Sequence, residues 1–213
     1  MITGAGRGLG KELAHAFRNR GCQVVLNCRC APCDLDDHTY VVIGDVCDPW
    51  VVHELGIKAM EHKVSILINN AGVHERNMTG EEVEVLRRVI DVNMIAPALV
   101  TQAVWPALVE SGCGMVVNIN SLAGLEGSAR ELAYAASKHG LSGMAKCLQY
   151  DGTRDNVRIL TAYLGAMKTD MSSHRQDYDR LIDPADAARL IVNLCENYPS
   201  LRVTEVTVAR RNY

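Results

Sequence analysis

Tyr134 and Lys138 are the residues whose types and spacing most directly suggest chemistry. Residues four apart lie on the same face of a helix, so a helix through this segment places the phenol beside the ammonium. A free phenol has a pKa of about 10, and a neighbouring cation lowers it by favouring the phenolate. The spacing therefore predicts a tyrosine that exchanges protons near neutral pH. An ordinary surface pair on a helix is the alternative interpretation.

A glycine-rich turn near the start of the chain suggests a second kind of chemistry. Residues 3–10 read T-G-x-x-x-G-x-G, and the apolar spacing behind them predicts a helix from Leu9 to Arg20. Glycines allow the backbone to approach a ligand closely, and a helix N-terminus offers unpaired N–H groups to an anion. The segment therefore predicts a turn that binds a nucleotide pyrophosphate, with a plain glycine-rich loop as the alternative.

Together with four further motifs, these two segments resemble the short-chain dehydrogenase/reductase family over nearly the whole chain. The additional motifs are Gly44-Asp45-Val46, Asn69-Asn70-Ala71-Gly72, Asp91-Val92-Asn93 and Ser121, which lies 13 residues before Tyr134. The resemblance implies a catalytic tetrad of Asn93, Ser121, Tyr134 and Lys138. It also implies cofactor contacts at Thr3, Gly4, Arg7, Gly8, Leu9, Gly10, Arg29, Asp45, Val46, Asn70, Ala71, Gly72, Tyr134, Lys138, Gly165 and Thr169.

The family resemblance assigns a role to each member of the tetrad. Ser121 polarises the substrate oxygen, and Tyr134 gives or takes its proton while hydride passes to or from a nicotinamide. Lys138 lowers the phenol pKa and holds the nicotinamide ribose. Asn93 ties Lys138 to a water chain, although an amide that only satisfies a helix backbone group is the alternative for Asn93.

The end of the second strand indicates which nicotinamide cofactor is used. NAD-binding folds usually carry an acid there to bind the ribose 2′-hydroxyl, but this chain has Cys28 followed by Arg29. A guanidinium suits a 2′-phosphate, and Arg7 could supply further charge. We therefore expect NADP rather than NAD. A solvated loop charge is the alternative for Arg29, and an arginine at the Arg7 position also occurs in family members that use NAD.

Short β-branched segments alternate with helical ones, which predicts an α/β fold. We expect one Rossmann-like doubly wound domain over 1–213, with a mostly parallel sheet of about seven strands and helices on both faces. Only Met1 and Ile2 precede Thr3, so the first strand is expected to be short. Segment 166–183 is expected to form a short polar substrate lid. The expected strands are Cys22–Cys28, Tyr40–Ile43, Val64–Ile68, Met115–Asn120, Val157–Ala162 and Val203–Val208, and the expected helices are Leu9–Arg20, Pro49–His62, Glu81–Ser111, Tyr134–Asp151 and Pro184–Glu196.

The amino-acid composition limits the kinds of binding partner and the cellular compartment that we expect. Hydrophobic residues make up 48% of 213 residues and the net charge is −3, without a basic run that would indicate nucleic-acid binding. No apolar stretch is expected to reach membrane-spanning length, and no N-terminal signal is evident. The eight cysteines are expected to be reduced thiols in the cytoplasm.

Three cysteines, Cys28, Cys30 and Cys33, stand close together beside the expected adenosine pocket. A structural zinc needs four ligands, and His38 is the nearest candidate for a fourth. We expect free thiols and no metal, and we hypothesise that their oxidation impairs NADP binding. The histidines His74, His139 and His174 are expected to be surface or loop residues rather than bases.

The function expected from these patterns is NADPH-dependent reduction of a small carbonyl compound. Reduction of 3-oxoacyl thioesters is the alternative among enzymes, and a non-catalytic protein that senses NADP is the alternative of another class. A homodimer or homotetramer is expected from the family resemblance. Met94, Leu99, Val100, Val104 and Leu108 are expected to provide its apolar surface, although they would also serve as core.

Overall fold

The computed structural model describes residues 1–31, 36–75, 83–127, 129–196 and 200–210, and a parallel β-sheet lies at its centre. The strands pair in parallel as two groups, β1 with β2 and then β3, β4, β5 and β6 in that order. Their bounds are Val24–Cys28 (β1), Thr39–Ile43 (β2), Ile66–Asn69 (β3), Met115–Ser121 (β4), Arg158–Leu164 (β5) and Glu205–Val208 (β6).

A very short segment at Ile2 joins these two groups into one sheet. Ile2 forms parallel bridges to Leu26 on one side and to Ile68 on the other. Its N–H donates to the Val25 carbonyl at 2.9 Å, and the Ile68 N–H donates to the Met1 carbonyl at 2.9 Å. The described residues thus contain six strands and one bridging residue, fewer than the expected count of about seven strands. The segment at Ile2, in the centre of the sheet, therefore forms very few ladder hydrogen bonds, as expected from the two residues that precede Thr3.

Helices cover both faces of the sheet, which confirms the doubly wound fold. Successive strand residues alternate between two cores: Leu67 and Val116 belong to one, whereas Ile68 and Val117 belong to the other. Helices α1 and α6 cover the second core, and α2, α4 and α5 cover the first. The helix bounds are Gly8–Arg18 (α1), Pro49–Glu61 (α2), Val83–Ile90 (α3), Ala96–Glu110 (α4), Leu132–Asp155 (α5) and Pro184–Leu194 (α6).

The long helix expected over Glu81–Ser111 differs from the expectation in one important respect. A π-helical turn, Asp91–Ile95, separates α3 from α4. Such a turn adds one residue to the helical repeat and rotates the side chains that follow, which sequence periodicity does not reveal. Glu81 and Glu82 lie outside the described residues.

The expectation that no apolar stretch reaches membrane-spanning length was wrong. The continuous helical segment Val83–Glu110 is long and apolar enough to cross a membrane by length and composition. In this fold, however, Val100, Val104 and Leu108 are fully buried against the sheet. Its apolar character is therefore explained by the core that it covers.

Candidate active site

A cleft of about 1280 Å³ opens at the carboxyl ends of the strands, where the expected site residues converge. Two of the expected residues, Thr3 and Asn93, are buried beneath its wall. All the others line the cleft, namely Gly4, Arg7, Gly8, Leu9, Gly10, Arg29, Asp45, Val46, Asn70, Ala71, Gly72, Ser121, Tyr134, Lys138, Gly165 and Thr169. The sequence motifs thus come together in one place.

The backbone of the glycine turn packs so closely against neighbouring atoms that side chains at Gly4 and Gly10 would clash with them. Gly4 has a φ of 64°, and a Cβ there would lie 2.7 Å from the Ala71 Cα. A Cβ on Gly10 would lie 2.4 Å from the Gly4 carbonyl oxygen. Helix α1 starts at Gly8 with no side-chain cap and no acid in its first turn. Its first turn therefore lines the cleft without a cap from the Arg7 side chain, and the N-terminus of a helix is a site that suits a phosphate group.

Thr3 and Asn70 hold this turn in place from behind. The Thr3 Oγ1 accepts hydrogen bonds from the N–H groups of Asn70 and Ala71, each at 3.1 Å. The Asn70 side-chain amide donates to the carbonyls of Thr3 and Gly4, at 2.9 and 3.1 Å. These two residues therefore position the glycine turn.

Ser121 and Tyr134 meet at the centre of the cleft. Ser121 is the last residue of β4, and its Oγ accepts a hydrogen bond from the Ala123 N–H at 3.2 Å. The Ser121 hydroxyl is near enough to Tyr134 to lower the phenol pKa by hydrogen bonding. The two hydroxyls that the sequence predicted to act on one substrate oxygen thus line the same cleft.

Lys138 lies one turn beyond Tyr134 on α5, with its Nζ 5.7 Å from the centre of the phenol ring. The Nζ donates to the Ile119 carbonyl at 3.0 Å, and the side chain is buried. Burial lowers the pKa of Lys138 to about 8, because the ammonium is removed from water.

The expectation that Lys138 lowers the pKa of Tyr134 is not met. Burial raises the Tyr134 pKa above its ordinary value, the hydrogen bond from Ser121 opposes this, and the charge of Glu131 raises it further. The desolvation of the phenol outweighs a cation that points at the ring face and bonds to a carbonyl.

Asn93 sits in the π-helical turn and bonds to its surroundings with both ends of its amide. Its Oδ1 accepts from the Val73 N–H and its Nδ2 donates to the Val73 carbonyl, both at 2.9 Å. The Nδ2 also donates to the Ser137 Oγ at 3.1 Å. Asn93 thus fixes the segment after β3 against α5. These contacts correspond to the alternative role considered above, in which the amide satisfies backbone groups. Its expected link to Lys138 through water stays a prediction.

Arg29 and Asp45, which follow two neighbouring strands, are exposed and line the cleft. Cys28 is buried between them and the glycine turn, and burial raises the pKa of its thiol. A raised pKa disfavours the reactive thiolate, which weakens the hypothesis that oxidation of this cluster regulates the site. Cys33 lies outside the described residues.

The segment expected to be the lid contains two short 3₁₀ turns, Asp170–Ser172 and Tyr178–Arg180. The Arg7 guanidinium pairs with the Asp170 carboxylate at 3.0 Å, which links the glycine turn to the lid. Both side chains are largely exposed, so water screens this pair. Arg7 is thus available to a ligand only in competition with Asp170.

A pair that the sequence analysis missed, His74 and Glu131, lies against Tyr134. The His74 Nε2 is 3.1 Å from the Glu131 Oε1, and the imidazole meets the phenol ring edge-on with 4.7 Å between centroids. The two partners are 57 residues apart and belong to no family motif, so no local pattern signals their contact. His74 lies in the loop after β3, as expected, but the sequence analysis did not predict its contacts with Glu131 and Tyr134.

Comparisons with known proteins agree with the fold and the cleft. A sequence model described as short chain dehydrogenase matches residues 1–179. The chain is 31% identical over 190 residues to the rat dehydrogenase/reductase SDR family member 7B, covering 81% of this chain and 58% of that relative. It is 29% identical over 225 residues to an uncharacterized oxidoreductase of Staphylococcus saprophyticus, covering 98% and 95% of the two chains.

Solved structures share the same fold. A short-chain dehydrogenase of Burkholderia cenocepacia in complex with NADP superposes with a TM-score of 0.87 at 24% identity, covering 98% of this chain and 86% of that one. A 3-ketoacyl-(acyl-carrier-protein) reductase of Brucella melitensis complexed with NADH gives 0.86 at 24% identity, covering 97% and 95%.

An α/β oxidoreductase fold with a dinucleotide-type cleft is therefore the class to which this molecule belongs. Because the family sequence model spans residues 1–179, the chain is a member of the short-chain dehydrogenase/reductase family. The chain spans 58% of the length of the rat relative.

Proposed function

We propose that this protein is an NADP(H)-dependent oxidoreductase that reduces a small carbonyl compound to the alcohol, and that residues 1–213 act as one cofactor-binding domain. One observation carries the proposal: Tyr134, Ser121 and Lys138 converge in the cleft that the glycine turn also lines. The phenol and the serine hydroxyl both line this cleft, and Ser121 acts on the Tyr134 pKa. A substrate oxygen that joins them would meet two hydroxyl groups at once.

The chain's own residues would hold the substrate and move one proton. Ser121 donates to the carbonyl oxygen and orients it, and the Tyr134 hydroxyl gives its proton to that oxygen as negative charge develops there. The Lys138 Nζ, 5.7 Å from the centre of the phenol ring, would lie beside the phenolate that remains. A bound nicotinamide supplies the hydride. The N-terminus of α1 would hold its pyrophosphate, and Asp45 and Val46 line the pocket for its adenine end.

The preference for NADP is supported by the charges around the adenosine end of the cleft. Cys28 occupies the place of the acid that would bind a ribose 2′-hydroxyl, and the exposed Arg29 follows it. A 2′-phosphate would gain a charge-assisted hydrogen bond there, whereas NAD would leave the guanidinium unused. The solved relative from Burkholderia binds NADP and the one from Brucella binds NADH, so relatives of this fold accommodate both.

Reduction of 3-oxoacyl thioesters is a second candidate, since one relative of this fold carries that activity in its name. A protein that binds NADP without turnover is the candidate of another class. The retained Tyr134 and Lys138 favour catalysis, because a sensor has no need of a buried ammonium next to a phenol.

A panel of small ketones, aldehydes and 3-oxoacyl thioesters tests the proposal, with cofactor oxidation followed by absorbance. We expect turnover with NADPH on small carbonyl compounds and a lower specificity constant with NADH. Binding of NADPH without turnover of any compound would favour the sensor. A preference for NADH would overturn the argument from Arg29.

A further inference from the structure

The His74–Glu131 pair is built into the wall that holds the reactive phenol. The two side chains are only 16% and 19% exposed, although both carry polar groups. An ionised carboxylate is only an acceptor, so the His74 Nε2 carries the proton and donates it to the Glu131 Oε1. That bond fixes the imidazole at 87° to the phenol ring, with the ring edge on the Tyr134 face.

The groups that face Tyr134 come from four parts of the chain. Lys138 lies on its own helix, four residues after Tyr134. Glu131, of opposite charge, stands immediately before that helix. His74 approaches from the segment after β3, and the uncharged Ser121 approaches from the end of β4.

The lid contributes the remaining charge to this environment. Hydrogen bonds to Asp177 raise the pKa of Arg175, and the charge of Glu131 adds to this effect. Glu131 therefore acts electrostatically on the lid residue Arg175 as well as on the phenol.

We propose that His74 and Glu131 are positioning residues for the proton-transferring tyrosine: the imidazole holds the phenol ring in place, and the carboxylate that holds the imidazole disfavours the charged phenolate. This role rests on the proposed function of Tyr134, but its electrostatic part exists with or without turnover. It gives this chain a way to set the proton affinity of its catalytic phenol with residues outside the family motifs.

Substitution of Glu131 by glutamine tests the electrostatic part, since the amide oxygen still accepts from His74 while the charge is lost. Ionisation of Tyr134 is followed by tyrosinate absorbance, with the matched Tyr134→Phe protein subtracted. We expect the midpoint of E131Q to fall by about half a pH unit to one unit, as expected for one partly screened charge nearby. Glu126→Gln, which removes an exposed acid from the same cleft, is expected to leave the midpoint unchanged.

Substitution of His74 tests the positioning part. His74→Ala removes the ring contact and is expected to lower kcat about tenfold or more while the NADPH Kd stays constant. His74→Phe keeps an aromatic edge against Tyr134 and is expected to recover most of that loss.

If alcohol oxidation is measurable, the acid limb of its pH profile should move to lower pH in E131Q, since the phenolate then forms more readily.

The outcomes separate this inference from the proposed function. An unchanged or higher Tyr134 midpoint in E131Q would overturn the electrostatic role, and wild-type kcat in His74→Ala would overturn the positioning role. If no carbonyl compound is reduced but the E131Q midpoint still falls, the proposed function fails while the electrostatic inference stands.

Discussion

At the scale of single residues, the cleft keeps a cation and a phenol out of water at the same time. Burial changes the proton affinity of both groups: the pKa of Lys138 is lowered to about 8, and the pKa of Tyr134 is raised. Each shift opposes the charged form that a phenolate–ammonium pair needs. A bound substrate and nucleotide that contribute hydrogen bonds to the charged forms would therefore complete the acid–base site.

The buried lysine gives a pH signature of folding. The unfolded chain keeps the Lys138 proton up to about pH 10.5, whereas the folded protein loses it above about pH 8. Between these values the unfolded state binds more protons, so stability rises with pH, by about 3 kcal/mol for this shift. We expect the wild type to gain this increment relative to Lys138→Met in urea unfolding from pH 7 to pH 10, where identical pH dependences would contradict it.

Arg29 should control the choice of cofactor. Arg29→Ala removes the guanidinium that would bind the 2′-phosphate, and we expect the KM for NADPH to rise about tenfold while that for NADH stays constant. Arg189→Ala serves as the control, because Arg189 is an exposed arginine of α6 outside the cleft. An unchanged KM for NADPH in Arg29→Ala would show that the cofactor is bound elsewhere.

Residue types at motif positions could be predicted from the sequence, but their electrostatic state could not. The structure brings Ser121 and Tyr134 into one cleft, and both lie at positions that the family pattern fixes. It missed the His74–Glu131 pair and the sign of the Tyr134 shift. Both depend on burial and on contacts between distant segments, which spacing along the chain does not encode.

At the scale of elements, two tight backbone junctions form the site. The glycine turn is locked to Asn70, and the π-helical turn presents Asn93 to the segment that follows β3. The glycine turn was predictable because its residues are short and contiguous. The π-helical turn was not, because one added residue in a helix leaves no compositional mark.

Alanine substitutions at two helix glycines, one in the turn and one outside it, distinguish the role of the glycine turn from the general effect of glycine on helix stability. Gly10→Ala would force a Cβ to within 2.5 Å of the Asn70 amide nitrogen, so we expect loss of stability by a few kcal/mol together with weaker NADPH binding. Gly143→Ala in α5 meets no atom within 4 Å and should stabilise by about 0.5–1 kcal/mol. Thermal unfolding and NADPH titration check both, and equal behaviour of the two variants would contradict the turn's role.

At the scale of the whole molecule, the fold class could be predicted because alternating strands and helices leave few arrangements. The surface for assembly was partly misassigned. Of the residues expected to supply it, Val100, Val104 and Leu108 are fully buried in the core, whereas Leu99 is 41% exposed. Ile95 and Val109 are also exposed on the same helical segment.

We propose that this exposed face of α4 joins copies of the chain into a homo-oligomer. Leu99→Asp should lower the mass seen by sedimentation to that of the 23.3 kDa monomer, since a buried acid opposes association. Ile57→Asp places the same change on the exposed side of α2 and should leave the mass unaltered. A monomeric wild type would refute the proposal.

The central claim is that the Tyr134 hydroxyl moves the proton of the reacting oxygen, and Tyr134→Phe tests it most directly. NADPH-dependent reduction of the best carbonyl substrate and the NADPH Kd are measured side by side in both proteins. We expect kcat to fall at least about a hundredfold while the Kd changes little, because phenylalanine keeps the ring that borders the cofactor cleft. Turnover at the wild-type rate in Tyr134→Phe would contradict the claim.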